Sequence, residues 1–258
     1  MLLAIDAGNT NITFGLYDKD SYLCDFRVTT HPVRTADEYA ALLKVLMESK
    51  DLIFSSIDDV IISSVVPVAN DSLIRFSKKH LQVKNPIILN SDLNLGFNIH
   101  YTPQNGVGAD RLANAVAAHT YYKGYVIVVD FGTANTFDVI DKNGDYMGGA
   151  ITPGIQISLD SLFAKASKLT DINLNTPKKA IGTDTEGALL SGIIYGYSGQ
   201  IDSIVEKISK ELPEKPTVIA TGGQSYIIAK HALSINKVDD KLTLNGLFII
   251  HKKVRGIC

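Results

Sequence analysis

The chain has 258 residues, 45% of them hydrophobic and 20% charged, a composition typical of a globular protein with one large domain or two smaller ones. Its net charge of −2 argues against nucleic acid or an anionic membrane as a partner and favours small molecules. Two cysteines, Cys24 and Cys258, are too few for a disulfide framework, and with no apolar run of roughly 18 residues and no secretion signal the sequence predicts a cytoplasmic protein.

Short apolar runs, each bounded by turn residues, predict buried strands along the chain. They lie at 2–5, 60–66, 86–89, 125–131 and 217–221. Between them, residues that repeat with helical spacing predict amphipathic helices. These helices are expected around 34–50, where Thr35 and Glu38 have capping-box spacing, and at 70–81, 109–122, about 186–212 and 242–253. Strands that alternate with helices predict a layered α/β architecture.

Nearly the same phrase occurs twice in the chain, as "LLAIDAGNTNITFGLYD" at 2–18 and as "VIVVDFGTANTFDVID" at 126–141. In each copy an apolar strand ends in Asp-x-Gly and turns through hydroxyl and amide residues into a second strand. Asp6 and Gly8 of the first copy align with Asp130 and Gly132 of the second. The duplication predicts two similar domains, 1–118 and 119–258, that face each other across a cleft.

The repeated turn has a structural and a functional interpretation. Asp, Gly and Asn are common in hairpins because they tolerate left-handed backbone angles. A glycine also lets a phosphate approach the backbone, while Thr10 and Thr13 can donate to its oxygens and Asp6 can hold a hydrated cation. Two copies favour the second interpretation, in which both turns bind the phosphates of a nucleoside triphosphate.

Two further stretches carry candidate functional residues. In "VIATGGQSYIIAK", Gly222 and Gly223 connect a strand to a helix, either to let an adenine or ribose approach or for backbone geometry alone. In "FNIHYTPQNGVGADRLAN", a glycine-containing loop leads to Asp110 and Arg111 at the start of a helix. Asp110 is either a helix cap or a reacting carboxylate, and the planar guanidinium of Arg111 suits a carboxylate or phosphoryl oxygens equally.

Five strings together carry a resemblance to a known family: "DAGNTNITFG", "GADRLANAVAA", "DFGTANTFDVI", "GGAITPGI" and "IGTDTEGALLSG". They resemble type III pantothenate kinase, a member of the superfamily of acetate and sugar kinases, actin and heat-shock chaperone ATPases. The resemblance implies an α/β fold of two ribonuclease H-like domains, each a mixed sheet flanked by helices. It also implies ATP-dependent phosphorylation of pantothenate to 4′-phosphopantothenate, the first step towards coenzyme A.

The resemblance implies roles for individual residues. Asp110 matches the general base that accepts the proton of the primary hydroxyl of pantothenate. The residues that match substrate contacts are Tyr101, Gly108, Ala109, Asp110, Arg111 and Thr185. The residues that match nucleotide contacts are Asp6, Ala7, Gly8, Asn9, Thr10, Asn11, Ile12, Thr13 and Thr133. Thr185 has an alternative interpretation as the cap of the long helix that follows it.

Cations and a second subunit also enter through the resemblance. Asp130 matches the ligand of a monovalent cation, potassium or ammonium, and Asp6 is expected to act on magnesium through water. The second turn departs from the family pattern at Asn135, where a threonine is expected. Relatives are homodimers, so we expect a dimer formed partly by the helix after Thr185.

Two alternatives stay open from the sequence. A nucleotide-binding regulatory protein of the same fold would have no use for an acid in the position of Asp110. A kinase of another small alcohol would keep Asp110 but change the pocket around Tyr101.

Overall fold

The computed structural model describes residues 1–166 and 172–257, so Cys258 lies outside the described residues. The chain forms two compact units, each made of more than one segment. Unit 1 consists of Met1–Phe97, Tyr101–Ala117 and Leu242–Cys258, and unit 2 consists of Asn98–His100 and Ala118–Lys241.

Unit 1 is built on a five-stranded mixed sheet. Its strands are β1 (Leu2–Ala7), β2 (Asn11–Asp18), β3 (Ser21–Thr29), β4 (Asp59–Ser64) and β5 (Ile87–Ile88). They lie in the order β3-β2-β1-β4-β5. The first three strands form an antiparallel meander, whereas β4 pairs parallel to β1 and β5 pairs parallel to β4.

Helices cover both faces of the sheet in unit 1. They are α1 (Ala36–Glu48), α2 (Pro67–His80), the first part of α3 (Ala109–Tyr121) and α7 (Leu242–Arg255). One face of the sheet packs against α1 and α2 through a core that includes Ile5, Phe14 and Phe76. The opposite face packs against α7, where a Cβ on Gly15 would lie 3.0 Å from the side chain of Leu244 and Phe248 stacks on Tyr17 at 4.6 Å.

Unit 2 repeats the same strand order. Its strands are β6 (Val126–Phe131), β7 (Ala134–Ile140), β8 (Tyr146–Pro153), β9 (Thr217–Gly222) and β10 (Lys237–Val238). The order is β10-β9-β6-β7-β8, so β6, β7 and β8 correspond to β1, β2 and β3 of unit 1. Its helices are α4 (Ile155–Lys165), α5 (Thr185–Glu211) and the short α6 (Ser225–Ile228).

The predicted α/β fold of two similar units, each with a mixed sheet flanked by helices, is confirmed. All five predicted strands and the five predicted helices form, and the capping box of Thr35 and Glu38 is present at the start of α1. The compact units differ from the predicted ranges 1–118 and 119–258 by one residue at the boundary, since Ala118 belongs to unit 2, and in two further places. Residues 98–100 belong to unit 2, and α7 belongs to unit 1 because it packs on the sheet of that unit. Within the described ranges, no helix is long and apolar enough to cross a membrane.

Candidate active site

The first repeated turn joins β1 to β2 in unit 1. Gly8 N donates to Asn11 O at 3.0 Å and closes the turn. Thr30, at the end of β3, anchors it from outside, because its hydroxyl donates to Gly8 O at 2.6 Å and its amide donates to Thr10 O at 3.0 Å. The side chains of Asn9 and Thr10 are exposed, so the turn presents polar groups on a fixed backbone.

The glycines of the two turns are not in the left-handed region, since neither Gly8 nor Gly132 has a positive φ. The hairpin explanation based on left-handed angles therefore does not apply to them. A Cβ on either glycine would lie 3.3 Å from a backbone carbonyl oxygen across its own turn. Each glycine thus serves a tight turn and leaves its outer side open.

Two of the residues predicted to contact the nucleotide, Ala7 and Ile12, have completely buried side chains in the core of unit 1. Only their backbone groups are available to a ligand. Asp6 and Thr13 lie directly opposite each other on β1 and β2 and are partly buried. Their side chains therefore share the face of the sheet that α7 covers.

Ser63 is a site residue that the sequence analysis missed. It lies beside Asp6 on the parallel strand β4 and donates its hydroxyl to Asp6 Oδ1 at 3.0 Å. Ser63 is completely buried, so this hydrogen bond fixes the carboxylate from the interior. Its position could have been inferred from the "SS" that ends an apolar run, because parallel strands bring their carboxyl ends to one edge of a sheet.

Val65 connects the first turn to the loop before α3. Its amide donates to Ala7 O at 3.1 Å, and its Cγ1 would lie 3.4 Å from a Cβ on Gly108. The structure therefore brings the turn after Asp6 and the start of α3 to the same end of the sheet in unit 1. Asp6, Ser63 and Asp110 are positioned by elements that meet at this end.

Gly108 makes room for the carboxyl group of Asp110. A Cβ on Gly108 would lie 2.5 Å from Asp110 Oδ1, closer than nonbonded atoms approach. Asp110 is the second residue of α3, and its Oδ1 accepts from Arg111 N at 2.8 Å. The carboxylate thus satisfies one amide of the first helical turn, which is what a capping role requires.

Burial raises the pKa of the Asp110 carboxyl above its usual value, and the hydrogen bond from Arg111 N and the charge of Arg111 offset only part of that rise. A carboxylate with a raised pKa is a better proton acceptor than an exposed one. Arg111 itself is 6% exposed, so its positive charge lies inside the unit beside Asp110. Tyr101 lies in the same unit, and a Cβ on Gly106 would lie 3.4 Å from its ring.

The second repeated turn joins β6 to β7 in unit 2 and is one residue shorter than the first. Only Gly132 and Thr133 separate the strands, and Gly132 N donates to Ala134 O at 3.2 Å. Gly154, the residue before α4, donates its amide to Thr133 O at 3.0 Å. A Cβ on Gly154 would lie 2.3 Å from that oxygen, so the close contact between the turn and the start of α4 requires glycine.

Asp130 lies at the end of β6, next to the glycine turn that follows β9. Gly222 has a φ of +88°, and a Cβ there would lie 2.5 Å from Asp130 Oδ1 and 2.6 Å from Phe131 O. The geometric interpretation of this glycine therefore holds, because both its backbone angle and its neighbours exclude a side chain. Gly223 is exposed and has no such restriction.

Asn135, where the sequence departs from the family pattern, does not share a face with Asp130. It pairs across the strands with Phe131, whose side chain is in the core of unit 2. Asn135 is completely buried, and its amide oxygen and nitrogen have no hydrogen-bond partner among the described residues. The residue opposite Asp130 is Thr136, so the hydroxyl expected in the second turn comes from that position.

Thr185 is the first residue of α5 and is exposed. The alternative in which it caps the helix is wrong, because Asp184 is the cap and its Oδ1 accepts from Gly187 N at 2.7 Å. His100, adjacent to Tyr101 in the chain, lies in unit 2 and contacts Asp145 Oδ2 at 3.3 Å. Among the described residues, no group of three or more His, Cys, Asp or Glu side chains is placed to hold a metal.

Two units with the same strand order place the chain in a class of two-unit α/β folds that solved structures of other proteins share. The structure is similar to that of an inorganic polyphosphate/ATP-glucomannokinase from Arthrobacter sp. strain KM, with a TM-score of 0.52, 16% identity and 98% of each chain covered. It is also similar to a conserved putative Baf family transcriptional activator from Campylobacter jejuni, with a TM-score of 0.58, 23% identity, 98% of this chain and 99% of that chain covered. At these identities the similarity establishes the fold alone.

The sequence comparisons define the family. The model of the type III pantothenate kinase family matches residues 2–207. A type III pantothenate kinase of Geobacter sp. (strain M21) is 43% identical over 98% of this chain and 99% of its own length. Another from Desulfatibacillum aliphaticivorans is 46% identical over 98% of this chain and 99% of its own. The chain belongs to the type III pantothenate kinase family.

Proposed function

We propose that the protein transfers the terminal phosphoryl group of ATP to the primary hydroxyl of pantothenate, which yields 4′-phosphopantothenate and ADP. The observation that carries this proposal is the environment of Asp110. A partly buried carboxylate with a raised pKa lies at the start of α3, with Gly108 kept free of a side chain beside it. Because the chain belongs to a family of pantothenate kinases, we take pantothenate as the phosphoryl acceptor and ATP as the donor.

In the reaction, Asp110 accepts the proton of the pantothenate hydroxyl as its oxygen attacks the phosphorus and the bond from phosphorus to the leaving ADP oxygen breaks. General base catalysis typically contributes about 10²–10⁴-fold in rate. The contribution is smaller when the transferred group is already close to metaphosphate, since such a transition state needs little activation of the nucleophile. Positioning of the two substrates and neutralisation of charge therefore supply most of the acceleration.

The turn of unit 1 is proposed to bind the phosphates of ATP. Asn9, Thr10, Asn11 and Thr13 offer polar side chains, Gly8 brings no side chain between them and a phosphate, and Ala7 and Ile12 contribute backbone only. Thr133 is proposed to contact the nucleotide from the turn of unit 2, where its side chain is exposed. Pantothenate is assigned to Tyr101, Thr185 and the segment from Gly108 to Arg111, in which the guanidinium of Arg111 suits an anionic group.

Two cations belong to the proposal, and the donor atoms fit both. Asp6 would hold magnesium through water, because its carboxylate is partly buried and oriented by Ser63. Asp130 would hold potassium or ammonium, because it offers a partly buried carboxylate at the end of β6. Such ions supply neutralisation of the phosphate charge when bound.

A homodimer formed partly by α5 is also proposed. Gly192, Gly196 and Gly199 follow the spacing of one helical face, are exposed, and have no atom within 4 Å of an added Cβ. A face of this kind lets a second backbone approach closely. Tyr195, 40% exposed on the same side of the helix, offers an apolar ring next to it. Because the reaction consumes ATP, we assign the protein to the cytoplasm.

The proposal is tested by measuring ADP release from purified protein with ATP, magnesium and potassium against a panel of small alcohols that includes pantothenate. We expect release only with pantothenate. Asp110→Asn is expected to retain its fold and ATP binding and to lower kcat by about 10²-fold or more. Asp37→Asn is the matched control, because Asp37 is likewise the second residue of a helix, α1, and is exposed.

The outcomes separate the alternatives. ADP release with another alcohol and not with pantothenate would identify that alcohol as the substrate. Binding of ATP without turnover on any acceptor would favour a regulatory protein of this fold. If Asp110→Asn and Asp37→Asn have equal activity, Asp110 acts only as a helix cap.

A further inference from the structure

Unit 2 contains another aspartate, on the strand next to that of Asp130, that the reaction described above does not use. Asp138, on β7, is completely buried. Its Oδ2 accepts from the hydroxyl of Thr136 at 3.0 Å, and its Oδ1 accepts from the hydroxyl of Tyr146 at 2.7 Å. Both carboxylate oxygens therefore accept a hydrogen bond from the hydroxyl of a neighbouring side chain.

Thr136 lies between the two aspartates. It is directly opposite Asp130 in the antiparallel pair of β6 and β7, and it is two residues before Asp138 on the same strand. Because side chains alternate between the faces of a strand and opposite residues share a face, Asp130, Thr136 and Asp138 all lie on one face of the sheet. Thr136 itself is only partly buried.

The hydrogen bond to Asp138 determines whether the Thr136 hydroxyl can donate to or accept from other groups. A hydroxyl has one proton and two acceptor lone pairs, and an ionised carboxylate only accepts. Once the proton of Thr136 points to Asp138, only lone pairs remain. An oxygen in this state cannot donate to Asp130, but it can join the carboxylate of Asp130 as a ligand of a cation, since hard cations take oxygen ligands.

The corresponding positions of unit 1 are built differently. Thr13 lies opposite Asp6 as Thr136 lies opposite Asp130, but the residue two positions later is Gly15 instead of an aspartate. The side chain of Leu244 fills the space above Gly15, and Asp6 accepts a hydrogen bond from the Ser63 hydroxyl. Of the two hairpins, the one in unit 2 therefore carries the additional carboxyl group and the oriented hydroxyl.

We propose that Thr136 is an oxygen ligand of the monovalent cation assigned to Asp130, and that Asp138 is a positioning residue that orients the Thr136 hydroxyl for this purpose. The inference rests on the cation of the proposed function and adds to it a ligand and the group that aligns it. Phosphoryl transfer to pantothenate is a separate claim.

The test compares Thr136→Val, Thr136→Ser and Thr152→Val. The first removes the hydroxyl with little change of shape, and the second keeps it. The control, Thr152→Val, makes the same substitution on β8 of the same unit and on the opposite face of the sheet, because Thr152 pairs with Asn135 and not with Thr136. Thermal unfolding is followed in a KCl series at constant ionic strength made up with choline chloride, with and without a non-hydrolysable ATP analogue, and the KCl concentration for half-maximal activity is measured in parallel.

A ligand that binds the folded state stabilises it by a free energy that grows with the logarithm of one plus the ratio of ligand concentration to dissociation constant. We expect Thr136→Val to need about tenfold or more potassium for the same rise in unfolding temperature, the loss of one contact to a charged group. Thr136→Ser and Thr152→Val should behave as the wild type. Asp138→Ala, which keeps the hydroxyl but removes its acceptor, should shift the potassium dependence in the same direction as Thr136→Val.

Each result bears on the proposal. Unchanged potassium dependence in Thr136→Val, or an equal loss in Thr136→Val and Thr152→Val, would overturn Thr136 as a ligand. A folded Asp138→Ala protein with wild-type potassium dependence would overturn the positioning role. If the wild type shows no stabilisation by potassium, this inference and the cation at Asp130 both fail, whereas phosphoryl transfer is judged by ADP release alone.

Discussion

Gly108 and Gly222 each lie against an aspartate of the candidate site, but the atoms that surround them differ. The space beside Gly108 is limited mainly by Asp110 Oδ1, the end of a short side chain. The space beside Gly222 is limited by Asp130 Oδ1 and also by backbone atoms of Phe131, and its φ is positive. A methyl group at the first position displaces a carboxylate, whereas at the second it strains the sheet.

Gly108→Ala is therefore expected to lower kcat by about 10²-fold, the scale of a misplaced general base, with little change in the free energy of unfolding. Steady-state kinetics and urea unfolding of the same protein preparation check both parts. Gly222→Ala is the contrasting variant and should lower the free energy of unfolding by about 1–3 kcal/mol. If Gly108→Ala retains wild-type kcat, the space beside Asp110 has no role in the reaction.

Among the helices, α7 is held to unit 1 by an ion cluster at its end. Asp59, the first residue of β4, accepts from His251 Nε2 at 2.8 Å and from Arg255 Nε and Nη2 at 2.7 and 2.8 Å. His251 is 6% exposed, so the cluster is shielded from solvent on that side. Burial alone would raise the pKa of Asp59, but the hydrogen bonds from His251, Arg255 and Val60 N outweigh it and hold that pKa well below its usual range.

The lowered pKa predicts how stability depends on pH. A carboxylate whose pKa is lower in the folded state stabilises that state above its unfolded pKa of about 3.9, and this contribution disappears as the pH falls towards the folded value. Asp59→Asn is expected to reduce the free energy of unfolding by about 1–3 kcal/mol at pH 7, with a difference from the wild type that shrinks below about pH 4.

Urea unfolding at a series of pH values measures this difference. The control is Asp20→Asn, which removes a pair with Lys252 on the same helix, where the Asp20 side chain is 78% exposed. Exposed pairs contribute little, so this variant should change stability by less than about 1 kcal/mol. A difference between Asp59→Asn and the wild type that does not vary with pH would contradict the role of the ion cluster.

At the scale of the whole molecule, the structure is a duplication whose two copies have diverged in charge. Both units share one strand order and place an acidic turn after the first strand. Unit 1 adds the candidate base Asp110 and a serine that donates to Asp6, and unit 2 adds Asp138 on the strand paired with that of Asp130. One topology thus supplies two sites of different chemistry.

The proposed dimer gives a prediction at the same scale. Sedimentation equilibrium should detect a dimer of the wild type, and Gly196→Leu should shift it to monomer, because a large side chain on the exposed glycine face of α5 prevents close approach of a second backbone. Leucine favours helix, so the subunit itself should stay folded. Lys207→Leu, an exposed position three turns further along α5, is the control and should remain dimeric. A wild type that is monomeric at all concentrations would contradict the dimer.

Much of the fold follows from local patterns. The apolar runs before Asp6 and Asp130, and the capping box at Thr35, predict elements at nearly their observed bounds because apolar periodicity and capping act over a few residues. Strands β3, β8 and β10 and helix α4 were not predicted. β3 carries mostly exposed or partly buried side chains, and α4 begins at Gly154 without a capping side chain, so both lack the local signals that identified their neighbours.

The sequence by itself determined the duplication, both acidic turns and the candidate base Asp110, because each of these can be recognised within a short stretch of residues. Only the tertiary structure decided that Ser63 donates to Asp6, that Gly222 closes against Asp130, that Asp184 and not Thr185 caps α5, and that α7 belongs to unit 1. With the exception of the cap, which is set by the local path of the backbone, these contacts join segments far apart in the chain. Their register is fixed by strand pairing and by packing in the core, which no short stretch of sequence specifies.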